Sequence, residues 1–147
     1  MKVSATVQNS QGQHQVTLRT NDNARSIEIP PKATGFGSSA SGGELLFLAL
    51  ATCYCNDIYR EAGKRGIKVE QVGVEVDGEF GAEGEPARNV SYRARVTAQA
   101  SEAQIQELMT QTDRVAEIQN TLRLETPVVL SGIEVVTVSV TPEQIQE

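Results

Sequence analysis

The sequence predicts an α+β domain, in which antiparallel strands pair with near neighbours and the helices are set apart from them. Three observations carry that expectation. Short runs alternating apolar and polar residues occupy the N-terminal stretch, residues 3–29. A long, almost wholly apolar helical segment follows at residues 41–66. Two more alternating runs, joined by a glycine-rich loop, then separate that helix from a second, amphipathic one. With 147 residues the chain can bury one core but not two ordinary ones, so residues 1–147 read as a single domain.

The first three strands are expected at residues 3–8, 15–20 and 25–29. They are punctuated by Asn9-Ser-Gln-Gly12 and Asn21-Asp-Asn23, both good turn chemistry. Pro30-Pro31 stops the third. Residues 32–40, rich in glycine and serine, read as a flexible connector. Ser41 followed by Glu44 is a capping-box pattern that starts the long helix. From Leu45 to Ala51 this helix has almost no polar face, which requires cover all round. Polar residues return from Asn56 onward, and Gly66 is a plausible stop. Strands follow at residues 69–80 and 89–98 around the loop at residues 81–86. A second helix starts near Ser101 and carries its stripe through Ile105, Leu108, Thr112, Ala116 and Gln119. Residues 127–140 read as one or two strands broken at Ser131-Gly132. The order is βββ-α-ββ-α-β(β), an antiparallel sheet of about six strands.

Composition narrows the function. The net charge is −6 and no basic cluster stands out, which argues against nucleic acid and anionic membrane surfaces. The first residues lack an apolar signal core, and no run approaches the roughly eighteen apolar residues of a membrane span. Two cysteines do not make a disulfide scaffold, so a reducing, cytoplasmic setting is expected. His14 is the only histidine, which excludes multi-histidine metal sites. It falls in the first hairpin and reads as an exposed strand residue.

The candidate chemistry lies on the long helix. Cys53 and Cys55 are two residues apart, so their side chains point about 200° from each other and cannot bond while the helix is intact. Cys53 sits too deep in the helix for the N-terminal dipole to ionise it, so a cation from the fold would have to do so. Arg60, seven residues on, is two turns away. Without such help Cys53 is a small buried hydrophobe. Cys55 points to another face and reads as packing. Tyr54 and Tyr59 could offer hydroxyls to a ligand, and Asn56 and Asp57 follow closely enough to line a shared pocket. Asp113, Arg114 and Glu117 read as a charged surface or a subunit contact.

Ser41-Gly-Gly-Glu-Leu-Leu46, Ala51-Thr-Cys-Tyr54, residues 67–80 and Val115-Ala-Glu-Ile-Gln-Asn-Thr-Leu122 together resemble the OsmC/Ohr family, over nearly the whole chain and in the right order. The resemblance implies an intertwined homodimer with a long buried central helix and active sites at the dimer interface. It also implies thiol-dependent reduction of organic hydroperoxides in stress defence, with no cofactor. Cys53 falls on the reactive position. Three departures accompany it. Ala116 stands where a second cysteine is expected. Gly43 stands where the family commonly has a glutamate, with Glu44 one step along. The arginine of the first turn is missing, leaving Arg19 and Arg25 as substitutes. Two functions follow as expectations. One is a hydroperoxide reductase using Cys53, Glu44 and Arg19 or Arg25, recycled by an external thiol. The other is a non-peroxidatic dimer that binds a small apolar or electrophilic ligand. Cys55, Tyr54 and Asp57 are the expected ligand contacts.

Overall fold

In the computed structural model, which describes residues 1–139, the N-terminal turns form where Gly and Asn permit them. Strands β1 (Val3–Ser10), β2 (Gln13–Thr20) and β3 (Asn23–Ile27) are joined by two-residue loops. Gly12 and Asn21 take φ of 73° and 52° there, the left-handed backbone that suits a tight hairpin. The sheet order is β1-β2-β3, antiparallel throughout. Residues directly opposite share a face. Ala5, Val7, Val16, Leu18 and Ile27 therefore form one apolar face, with Asn9 and His14 at its end and Arg25 opposite Leu18. Arg19, paired with Ser4 and Ala24, is on the other face.

The glycine-serine connector is more tightly held than its composition implies. Ser39 N–H donates to Pro30 O at 2.9 Å and Lys32 N–H to Gly37 O at 3.1 Å. Gly37 N–H also donates to Asn9 Oδ1 at 3.0 Å, pinning the loop to the end of β1.

Helix α1 (Gly42–Lys64) starts as the capping box requires: Glu44 N–H donates to Ser41 Oγ, and Ser41 N–H to the Glu44 carboxylate. It ends in a Schellman arrangement, with Gly66 at φ 64° and Ile67 N–H donating back to Ala62 O at 3.0 Å. One face of α1 packs on the hairpin of β4 (Lys68–Glu79) and β5 (Arg88–Gln99) and on α2 (Glu102–Val115). The core is Tyr54, Ile58, Ala62 and Leu108, covered by valines of β4 and by Tyr92, Ala94 and Val96 of β5. Tyr54 packs edge-on to Tyr92 and its hydroxyl donates to Met109 O at 2.9 Å. At the other end Phe47 stacks on Phe80, centroids 5.9 Å apart.

Four expectations change. The described residues hold five strands in two separate sheets, not one sheet of about six. Residues 127–139 form no strand, and Val128, Val136 and Val138 are nearly fully exposed; a strand exists only by pairing its backbone, and nothing in the described chain lies beside this segment. Val140 lies outside the described residues. The second helix breaks at Ala116, whose backbone is extended, and resumes as α3 (Glu117–Arg123). Asn120 and Arg123 side chains donate to the carbonyls of Arg114 and Asp113 that the break leaves free. Finally, α1 is buried on one side only: Ile58 is 0 % exposed but Leu48 is 59 % exposed. One hairpin and one helix are too little to wrap it.

Candidate functional site

The side of α1 turned away from the core faces the apolar side of the β1–β3 sheet across a cavity of about 790 Å³. Val7, Val16, Leu18 and Ile27 line it from the sheet, Leu45 and Ala49 from the helix. The polar side chains in its wall are few: His14, Ser38, Thr52, Cys53 and Asn56.

Cys53, half-buried, is the chemical centre of this wall. Asp57 lies one turn further along α1 and is 7 % exposed, with Oδ2 at 3.5 Å from the sulfur. Glu117 arrives from the start of α3, with Oε2 at 3.9 Å. The single thiol hydrogen therefore has two carboxylate acceptors. Arg60 Nη1 ties the two acids together, at 3.3 Å from Asp57 Oδ1 and 2.8 Å from Glu117 Oε1. Its Nε reaches Glu61 at 3.2 Å, and Lys64 closes the chain at 3.0 Å.

The electrostatics follow from this order. Burial pushes the Cys53 thiol up, and Asp57 and Glu117 push it further, against the pull of the Ile118 backbone N–H. Asp57 is also raised, first by burial and then by the hydrogen bond and charge of Glu117, with Arg60 opposing. Glu117 is lowered by its own backbone N–H, then by its bonds from Asp57 and Arg60. Of the two acids, Asp57 is therefore the one that takes up a proton more readily. Cys53 rests as a neutral thiol beside an acid pair, not as a thiolate beside a cation. The three ligand atoms of Cys53, Asp57 and Glu117 lie within 4.8 Å of one another, close enough to hold a metal. Arg60 already supplies positive charge to both carboxylates.

The other expected site residues fall elsewhere. Glu44 is exposed and held in its cap, its carboxyl lowered by the Ser41 N–H. Arg19 points off the opposite sheet face, and Arg25, on the cavity-side face, is exposed beyond the wall. Tyr54 belongs to the core instead of the cavity, with burial pushing its hydroxyl up to about 12. Cys55 faces a separate hollow of about 260 Å³ with Ala51 and Val74. Asp57 alone of the expected ligand contacts adjoins Cys53. Gly43 has its own reason: a Cβ there would lie 2.7 Å from Phe80 Cε2, so a glutamate has no room. Ala116, 0 % exposed at the helix break, puts a methyl group immediately before Glu117.

The sequence reading set three residues aside: Arg60 as two turns from Cys53, Glu117 as a surface or subunit contact, and His14 as an exposed strand residue. Arg60 acts on the neighbours of the thiol without reaching the thiol itself. Its usable signal was the Asp57–Arg60 spacing, which places both on one face. Glu117 carried no signal, because its contact with α1 depends on the break before it. His14 was legible as a member of the apolar face once the register of the first hairpin was set.

Comparison with known proteins places the fold. A family model described as OsmC-like protein matches residues 35–131. No curated protein matches the chain in sequence. Among solved structures, an OsmC-like protein from Mycoplasma pneumoniae is 19% identical with a TM-score of 0.55, over 82% of this chain and 87% of that one. An OsmC-like protein of unknown function from Vibrio cholerae is 15% identical with a TM-score of 0.55, over 82% and 93%. An organic hydroperoxide resistance protein OsmC from Legionella pneumophila is 16% identical with a TM-score of 0.55, over 84% and 90%.

Proposed function

The chain belongs to the OsmC-like family, and from that premise we propose that it binds a small apolar organic molecule between the β1–β3 sheet and α1, with Cys53 as its polar contact. The observation that carries this reading is the Cys53 thiol, beside two carboxylates, in the wall of a largely apolar cavity of about 790 Å³. That volume falls in the ordinary range of small-molecule pockets, and apolar walls with few polar groups are their usual composition. A neutral thiol is a weak donor and a poor nucleophile. It orients a ligand more readily than it attacks one. In the same reading the working unit is a homodimer, because Leu48, Val7 and Ile27 are exposed on the cavity side of a single chain.

A second reading is favoured by one distance, the 3.5 Å between Cys53 Sγ and Asp57 Oδ2. In the ionised state Asp57 can accept the thiol proton as sulfur attacks the outer oxygen of an organic hydroperoxide. The O–O bond breaks, an S–O bond forms, and the proton passes to the departing alkoxide as the alcohol. Cys53 is left as a sulfenic acid, which two external thiols reduce to the thiol with release of water and a disulfide. This is the redox, stress-defence version of the same site.

One experiment separates them. Consumption of cumene hydroperoxide with excess dithiothreitol is followed for wild type, Cys53→Ser and Cys55→Ser. Rates equal to the protein-free control for all three support the binding reading. Turnover lost in Cys53→Ser alone overturns it in favour of the reductase.

A further inference from the structure

One polar residue on the sheet wall of the cavity has no part in the chemistry above. The sheet contributes Ala5, Val7, Val16, Leu18, Ile27 and a single imidazole, His14. The hydrogen bonds behind that ring settle its tautomer. Gly37 N–H donates to Asn9 Oδ1 at 3.0 Å. A backbone N–H can only donate, so the amide oxygen of Asn9 must be the atom it meets. The amide nitrogen is thereby turned to the ring, at 3.0 Å from His14 Nδ1. An amide NH₂ also only donates, so Nδ1 must be the accepting, unprotonated nitrogen. In the neutral ring the proton then sits on Nε2, which has no hydrogen-bond partner among the described residues.

We propose that His14, held by Asn9 as the Nε2–H tautomer, donates a hydrogen bond to an acceptor oxygen on the ligand in the cavity. The site then selects an apolar molecule bearing a carbonyl, ether or peroxide oxygen over a plain hydrocarbon. The inference rests on the cavity being a ligand site, as proposed above. It also assigns a purpose to the pinned connector: the Gly37–Asn9–His14 chain carries the loop's backbone polarity to the cavity wall. Second-sphere contacts of this kind commonly decide which ring nitrogen a histidine presents.

The test uses two probes of equal carbon number, methyl heptyl ketone and nonane, with binding measured by calorimetry on wild type, His14→Phe and His14→Gln. One net hydrogen bond of ordinary strength amounts to roughly fivefold in affinity. His14→Phe is expected to weaken the ketone by about that factor and leave nonane unchanged, while His14→Gln, which keeps an N–H near the Nε2 position, retains ketone binding. In parallel, ¹⁵N NMR of the neutral ring reads the tautomer. Wild type is expected as Nε2–H, and Asn9→Asp, which gives Nδ1 an acceptor, as Nδ1–H with weakened ketone binding. If both probes bind wild type and His14→Phe leaves the ketone unaffected, the His14 inference falls and the cavity reading survives. Wild type in the Nδ1–H form also overturns it. If neither probe binds wild type, the cavity reading itself falls and takes this inference with it.

Discussion

The two sides of α1 have nearly the same apolar composition and opposite fates. On one side Tyr54, Ile58 and Ala62 lie against β4, β5 and α2 and are closed to solvent. On the other, Leu45, Leu48, Ala49 and Cys53 look across an open cavity at the β1–β3 sheet. An apolar helix face demands cover, yet its composition does not say whether the cover is the chain's own core, a ligand or a second copy. Where the chain supplies the cover, substitutions act on stability. Where it does not, they act on binding.

The largest expected effect tests that contrast directly. Ile58→Ala removes a fully buried side chain and is expected to cost about 2–5 kcal/mol. Leu48→Ala, at a residue 59 % exposed, is expected to stay within about 0.5 kcal/mol. Thermal or urea unfolding of the two variants checks both. Equal losses would break the comparison, since they would put the cavity side in the folded core.

Next comes the seam where α1 meets β4. A Cβ built on Gly78 lies 2.5 Å from Phe47 Cζ, with Val90 Cγ2 at 3.1 Å on the other side. Gly78→Ala must displace the Phe47 ring from Phe80, for an expected loss of about 1–3 kcal/mol by urea unfolding. A loss this large while Gly73→Ala in the same strand, which meets nothing within 4 Å, is near neutral would confirm that close approach, and not strand propensity, sets the effect.

Which parts of this were legible depends on how far apart in sequence the interacting groups are. The capping box of Ser41 and Glu44, the stop at Gly66 and the two N-terminal turns were readable because each is completed within a few residues. The strand expected at residues 127–140 was not, because alternation shows that a segment can pair but not what it pairs with. The break at Ala116 has no glycine or proline to announce it, and Glu117 reaches Arg60, 57 positions away, only because of that break. The position of Cys53 on the long helix was legible. Its electrostatics were not, since the sequence led one to look for a cation at the sulfur and the fold places two carboxylates there.

A smaller effect sharpens the polar end of the open side. Cys53 is raised by burial and then by the neighbouring acids. Its alkylation by iodoacetamide is expected to reach half-maximal rate at a pH above that of a free thiol. Because the folded state holds this proton more tightly than the unfolded chain, the group's contribution to stability is present below the unfolded thiol value. It is lost as pH rises through the raised folded one. Asp57→Asn removes one negative charge 3.5 Å from the sulfur. The midpoint should move down, with labelling near pH 8 faster by roughly two- to fivefold. An upward shift would mean that Asp57 stabilises the thiolate, the reverse of the arrangement described here.

The smallest effect concerns Glu44, the residue whose place in the family pattern invites a catalytic role. Its carboxylate is spent on the Ser41 N–H at 2.9 Å, on an exposed turn where α1 begins. Glu44→Ala is expected to lower stability slightly, as loss of half a capping box does. The alkylation profile of Cys53 should be unchanged, because the group lies more than two turns away along α1. Both readings come from one variant by two methods, unfolding and labelling. A changed labelling profile at unchanged stability would place Glu44 at the thiol after all, brought there by an element that a single chain does not supply.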